Sequence, residues 1–180
     1  MQRKIYFLFP IICIPICFSV NTMVFANPND TPPSLEEGYI QFGYKSVEEA
    51  VKEFENHFKQ DVNLPKINPS ISFTHQFGRF YEDKKYNIND LLEIKFVNEN
   101  VKENNYKIDI RPLKNKIVFK GRVNQKTYTL NNGQKAIYFE GHLFNFFVFD
   151  YGNWQYMLGI DKRVSKVTPD TLVKIANSIE

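Results

Sequence analysis

The run Phe144-Asn145-Phe146-Phe147-Val148-Phe149 constrains this chain more than any other stretch. Successive side chains of a strand point to opposite faces. Phe144, Phe146 and Val148 therefore share one face, and Leu143, Phe147 and Phe149 the other. A strand apolar on both faces needs cover on both, so it is expected to be central in its sheet. Asp150-Tyr151-Gly152-Asn153 follows as a turn and Trp154-Gln155-Tyr156 opens the next strand, which makes an aromatic hairpin. Beyond it, Thr168 caps a short helix with Pro169 at its first position and Leu172, Ile175, Ala176 and Ile179 as its apolar stripe.

The two-residue period begins well before this hairpin. Tyr106, Ile108 and Ile110 alternate with Lys107, Asp109 and Arg111, the pattern of a strand with one dry face. Strands are predicted over 71–81, 91–98, 105–111, 116–121, 126–130, 134–140, 142–150 and 154–161. Asn131-Asn132-Gly133 is a hairpin turn, with Gly133 supplying a positive φ. No gap between strands holds a crossover helix, so the pairing is expected to be mostly antiparallel. Ahead of the strands, Ser46 and Glu49 form a capping box for a helix over 46–61. Val47, Ala50, Val51, Phe54 and Phe58 fall on one face of it, while Glu48–Lys52 and Glu55–Lys59 pair on the other. The expected fold class is α+β: a mostly antiparallel sheet of about 6–8 strands with an N-terminal and a C-terminal helix packed on it.

The N-terminus reads as a targeting segment. Arg3 and Lys4 precede the apolar run 5–20, and Val24-Phe25-Ala26 ends in a small residue, the pattern of a secretory signal peptide cleaved after Ala26. An uncleaved membrane anchor is the alternative, but sixteen residues at about 1.5 Å each fall short of a hydrocarbon core of roughly 30 Å. The organisation expected is a signal peptide over 1–26, a flexible polar leader over 27–45 and a single α+β domain over 46–180. Cleavage removes Arg3 and Lys4, which takes the 23 basic residues to 21 against 20 acidic ones. Nothing like a nucleic-acid footprint remains. It also removes both cysteines, Cys13 and Cys17, so no disulfide or thiolate metal site is expected in the mature protein.

Trp154-Gln155-Tyr156 opening a strand, Gly159 near its end, and the closing run Lys174-Ile175-Ala176-Asn177-Ser178-Ile179 together resemble an uncharacterised extracytoplasmic domain family of spore-forming Gram-positive bacteria. Its members are C-terminal parts of secreted proteins, lipoproteins and anti-sigma-factor-like membrane proteins. They typically end in a W-x-x-x-g-x-x-Y-x-l strand and a kIAeSl helix, and Leu64-Pro65 is similar to the lP step that opens them. Here Tyr156 follows Trp154 without the family's usual intervening glycine turn. The resemblance implies an extracytoplasmic location and no established activity. The order helix, sheet, helix is also similar in layout to the PsbP-type α/β/α sandwich.

Residues able to carry chemistry are sparse. His57, His75 and His142 show neither H-x-H nor i,i+4 spacing, so no metal site is expected. His57 is expected to flank the apolar face of the first helix, and His75 to share a strand face with Phe73 and Phe77. No serine lies in a G-x-S-x-G elbow and no phosphate-binding glycine loop occurs, so no cofactor is expected. Glu140-Gly141-His142 is the most suggestive acid–base pair. In one continuous strand Glu140 and His142 would share a face about 7 Å apart, whereas a turn at Gly141 would separate them. Arg79 sits among aromatics in Phe77-Gly78-Arg79-Phe80, where cation–π packing or an edge-strand position both account for it. The density of Phe147, Phe149, Tyr151, Trp154 and Tyr156 exceeds what a plain core needs. Most of these side chains are expected to be core; the alternative is that one sheet face stays partly uncovered and forms an aromatic-lined groove for an apolar, lipid-like ligand or an envelope protein.

The function expected is a secreted, non-enzymatic binding or interaction domain at the Gram-positive cell envelope. Its partner would be an envelope protein or an apolar small molecule. The alternatives are a carrier of an apolar ligand and a hydrolase using Glu140 and His142.

Overall fold

Two S-x-x-E signatures open the first two helices of the computed structural model, which describes residues 32–179. Ser34 Oγ accepts the Glu37 N–H at 3.2 Å and the Glu37 carboxylate accepts the Ser34 N–H at 2.8 Å, starting α1 (Leu35–Gln41). Ser46 and Glu49 repeat the exchange for α2 (Val47–Phe58). Part of the stretch read as a flexible leader is therefore a capped helix. The signal-peptide reading of 1–26 and the first residues of the leader lie outside the described residues. No helix among the described residues is long and apolar enough to cross a membrane.

Seven strands follow: β1 (His75–Tyr81), β2 (Leu91–Val97), β3 (Asn105–Pro112), β4 (Lys126–Thr129), β5 (Lys135–Glu140), β6 (Phe144–Tyr151) and β7 (Trp154–Asp161). The chain closes with α3 (Pro169–Ala176), capped by Thr168. One antiparallel sheet runs in the order β1-β2-β3-β7-β6-β5-β4, so the expected α+β class holds. Two meanders, β1–β3 and β4–β7, join where β3 pairs with β7, Ile108 lying opposite Leu158. The middle strand is β7, and the double-faced β6 lies beside it. The turn between them is two residues, Gly152-Asn153, with φ of 57° at Gly152, a conformation that a side chain disfavours.

The stretch 116–121 is not a strand. Pro112 and a 3-10 turn, Leu113–Asn115, lead the chain off the β3 ladder, and β5, β6 and β7 are already paired on both edges. It crosses a face of the sheet instead. The Gln155 amide substitutes for a neighbouring strand there, accepting the Ile117 N–H at 2.8 Å and donating to the Ile117 carbonyl at 3.0 Å. Phe119 stacks on Phe139, with ring centroids 4.9 Å apart.

Both large helices lie on one face. Leu92, Ile94, Tyr106, Ile108, Ile110, Phe147, Phe149, Trp154, Tyr156, Leu158 and Ile160 form a continuous dry surface, and α2 and α3 bury Phe54, Leu172 and Ile175 in the same core. An α/β/α sandwich would carry helices on both faces. The second face cannot take an apolar stripe, because Glu93, Lys95, Lys107 and Asp109 project from its inner strands. That face carries α1 at the β1–β2 end, where Leu35 and Tyr39 pack on Tyr44, Phe77 and Val97. At the other end 116–119 supplies the second cover that β6 requires. Gly78 sets the approach of α2: a Cβ there would fall 2.7 Å from the Ala50 Cβ and 2.9 Å from the Val47 Cα.

Candidate functional site

Of the aromatic group around Trp154, Tyr151, Trp154 and Tyr156 line a small depression of about 140 Å³ together with Gln60, Asp61 and Asn63, and Phe147 and Phe149 do not reach it. Phe147, Phe149, Trp154 and Tyr156 are buried and belong to the main core, while Tyr151 is half-buried at its rim. Phe54 and Phe58 of α2 cover the indole at 4.8 and 5.3 Å between centroids. The segment after α2 borders the depression, with Trp154 Nε1 donating to the Asp61 carbonyl at 3.0 Å and the Tyr156 hydroxyl to the Asn63 carbonyl at 2.8 Å.

Glu140 ends β5 and His142 lies in the turn before β6, both exposed, and no hydrogen bond or ion pair joins them. The turn at Gly141 is the arrangement that separates them. His57 does flank the apolar face of α2, packed on Phe58 and Phe80, with its ring nitrogens 3.8 Å from Glu82 and Asp90. His75 stacks on Phe77 and shares a hydrogen bond with Thr74 Oγ1. Among the described residues no group of three or more His, Cys, Asp or Glu side chains is arranged to hold a metal ion.

The site that does assemble lies on the opposite face, beneath α1. Strand register sets its floor. Arg79, Glu93 and Asp109 are cross-strand neighbours in one row, and Phe77, Lys95 and Lys107 in the next. Glu93 is the hub: it accepts the Tyr44 hydroxyl at 2.6 Å and Arg79 Nη2 at 3.2 Å, and lies 3.6 Å from the Lys95 ammonium. Burial opposes ionisation of Glu93. The Tyr44 hydrogen bond and the charges of Lys95, Lys107 and Arg79 outweigh it and hold the carboxyl below the usual carboxylate range. Tyr44 moves the other way, raised by burial and by its bond to Glu93. Asp109 is buried and accepts Lys107 Nζ at 2.8 Å, yet its Oδ1 has no hydrogen-bond partner among the described residues, and burial pushes its carboxyl up. Gly159 lets Lys107 lie flat: a Cβ there would sit 3.0 Å from the Lys107 Cγ.

Aromatic rings wall this floor. Tyr39 stacks on Phe77 at 4.3 Å with an 11° tilt and meets Tyr44 edge-on at 5.0 Å. The Arg79 guanidinium lies 4.5 Å from the Tyr44 centroid, and the Lys95 ammonium 5.4 Å from Tyr44 and 5.8 Å from Tyr39. Arg79 Nη1 also donates to the Phe42 carbonyl at 3.2 Å, tying the end of α1 to the sheet. Above Arg79 and Lys95 opens a cleft of about 590 Å³, with Leu35, Tyr39, Phe42 and Tyr44 around it. That volume lies within the range of small-molecule sites, roughly 300–1,000 Å³. Phe42 is 76% exposed at its mouth.

This cleft was legible only in part. Arg79 among aromatics and the charged parity of β3 were visible, but Ser34-Leu35-Glu36-Glu37 was not taken as a helix start, so the cleft had no roof. No family model matches the chain, and neither a curated protein nor a solved structure matches it. Fold and site together define an α+β sheet domain with one face covered by two helices and the other carrying an aromatic and cationic cleft.

Proposed function

We propose that this chain is a secreted, non-enzymatic binding domain of the Gram-positive cell envelope, a member of the extracytoplasmic family that its last strand and helix resemble. The observation that carries the reading is the open cleft beneath α1, with aromatic walls and Arg79 and Lys95 on its floor. Concave sites that mix apolar walls with a few placed charges are the usual form of ligand pockets. The ionisable pair at the floor also favours holding over proton transfer. Tyr44 is raised and Glu93 lowered, both away from neutrality, where general acid–base groups are poorly matched to their task.

The test is expression of the full chain in a Gram-positive host, with N-terminal sequencing and capture from the envelope fraction. The expected outcome is a mature chain beginning at Asn27 and a captured component that is lost with Lys95→Gln. Retention in the cytoplasm, or capture indifferent to Lys95, overturns the reading.

A further inference from the structure

We propose that the cleft beneath α1 binds an amphiphilic anion, its carboxylate or phosphate head on Arg79 and Lys95 and its apolar body along Leu35, Tyr39 and Phe42. This rests on the binding-domain reading and names the ligand class.

The charge argument comes from the floor. Arg79, Lys95 and Lys107 face only two carboxylates, Glu93 and Asp109, across adjacent strands. Glu93 alone serves both Arg79 and Lys95. Lys107 is paired with Asp109 at 2.8 Å and neither lines the cleft, so Arg79 and Lys95 share the one carboxylate of Glu93 there. The floor thus keeps an excess of positive charge beside a low-dielectric wall, where an anion is favoured. Lys95 is not fixed to Glu93 by a hydrogen bond. At 3.6 Å it retains donors for a second oxygen.

The apolar argument comes from the walls. Leu35, Tyr39 and Phe42 line the cleft, and Phe42, just past the end of α1, stands 76% exposed at its mouth. A free inorganic anion would leave these walls wet, and a neutral hydrocarbon would desolvate Arg79 and Lys95 with only the shared Glu93 carboxylate to balance two cations. A molecule carrying both parts satisfies both surfaces.

Calorimetric titration of the purified full chain with octanoate, octyl phosphate, octanol and inorganic phosphate tests this. At least one octyl anion is expected to bind tenfold or more tighter than both octanol and inorganic phosphate. The better of the two identifies the head as carboxylate or phosphate. Lys95→Gln is expected to weaken the octyl anion roughly tenfold and leave octanol unchanged. Phe42→Ser, at an exposed position outside the core, is expected to weaken the octyl anions and octanol alike, severalfold. Octanol binding as tightly as the anions, or inorganic phosphate doing so, overturns the proposal. So does octyl-anion binding insensitive to both substitutions. Lys95-dependent envelope capture without octyl-anion binding would sink this inference and leave the binding-domain reading standing. Octyl-anion binding with capture indifferent to Lys95 would do the reverse.

Discussion

Tyr44 and Glu93, 49 positions apart, are joined by a 2.6 Å hydrogen bond that fastens the α1–α2 connection to the second face of the sheet. Glu93 is largely buried, so its charge depends on the partners that face it. Tyr44→Phe removes the hydroxyl and leaves the ring in place. It is expected to cost about 1.5–3 kcal/mol, the range for hydrogen bonds to charged groups. Urea unfolding at neutral pH checks this, and a loss below about 0.5 kcal/mol would mean that Arg79 and Lys95 hold Glu93 unaided.

Gly78 controls how closely α2 approaches β1. Gly78→Ala places a methyl against the Ala50 side chain and, more seriously, the Val47 backbone. Overpacking of this kind costs about 1–3 kcal/mol. Ala50→Gly in the same chain is expected to restore only part of the loss, because the Val47 Cα remains 2.9 Å away. A thermal unfolding cycle over the four proteins measures the coupling, and strict additivity would place α2 further from β1.

Glu93 and Asp109 lie opposite each other yet have opposite pH signatures. Glu93 is lowered in the folded state, so its contribution is present above the unfolded glutamate value of about 4.3 and is lost as pH falls. Asp109 is raised, so the fold binds its proton more tightly than the unfolded chain does. Its contribution is therefore full below about pH 3.9 and is lost as pH rises. Denaturant unfolding across a pH series reads both effects. The gap between wild type and Glu93→Gln is expected to narrow on acidification. The advantage of wild type over Asp109→Asn is expected to shrink as pH rises from 4. Gaps that move in the same direction would contradict the environments described for the two carboxylates.

Gln155 holds the 116–119 crossing through two hydrogen bonds to Ile117. Gln155→Leu keeps the bulk and removes both. The amide of Ile117 is expected to exchange with solvent faster by tenfold or more, and the segment to become sensitive to protease. Amides in β3 and β7 away from this position are expected to keep their protection. Exchange at Ile117 unchanged from wild type would show that Phe119 packing on Phe139 is sufficient.

Much of the architecture was written in local pattern. The capping boxes, the Thr168-Pro169 helix start and the alternation in β3 and β7 each follow from chemistry confined to a few neighbouring residues. The run 116–121 misled because Ile117, Phe119 and their neighbours look like a strand. Strand identity requires a free ladder edge, and that is a property of the other strands. The aromatics at 147–156 are mostly core, as their alternation suggests, but which of them reach the small depression beside Asp61 and Asn63 depends on where α2 and the segment after it lie. The missed helix at Leu35–Gln41 carried a readable signal in Ser34 and Glu37, masked by the polar, proline-rich residues before it.

The sequence by itself determined the class of fold, the antiparallel pairing and the identity of the dry face, because residue periodicity and caps act over one or two turns of chain. Only the tertiary structure decided that both large helices share that face, that 116–119 crosses the other, and that Tyr39, Tyr44, Arg79, Glu93 and Lys95 meet beneath α1. Those meetings depend on cross-strand register and on which faces remain to be covered once every apolar stripe is buried, and neither quantity is local. The cleft exists because the charged parity of β2 and β3 repels an apolar helix and leaves that face to a short aromatic one.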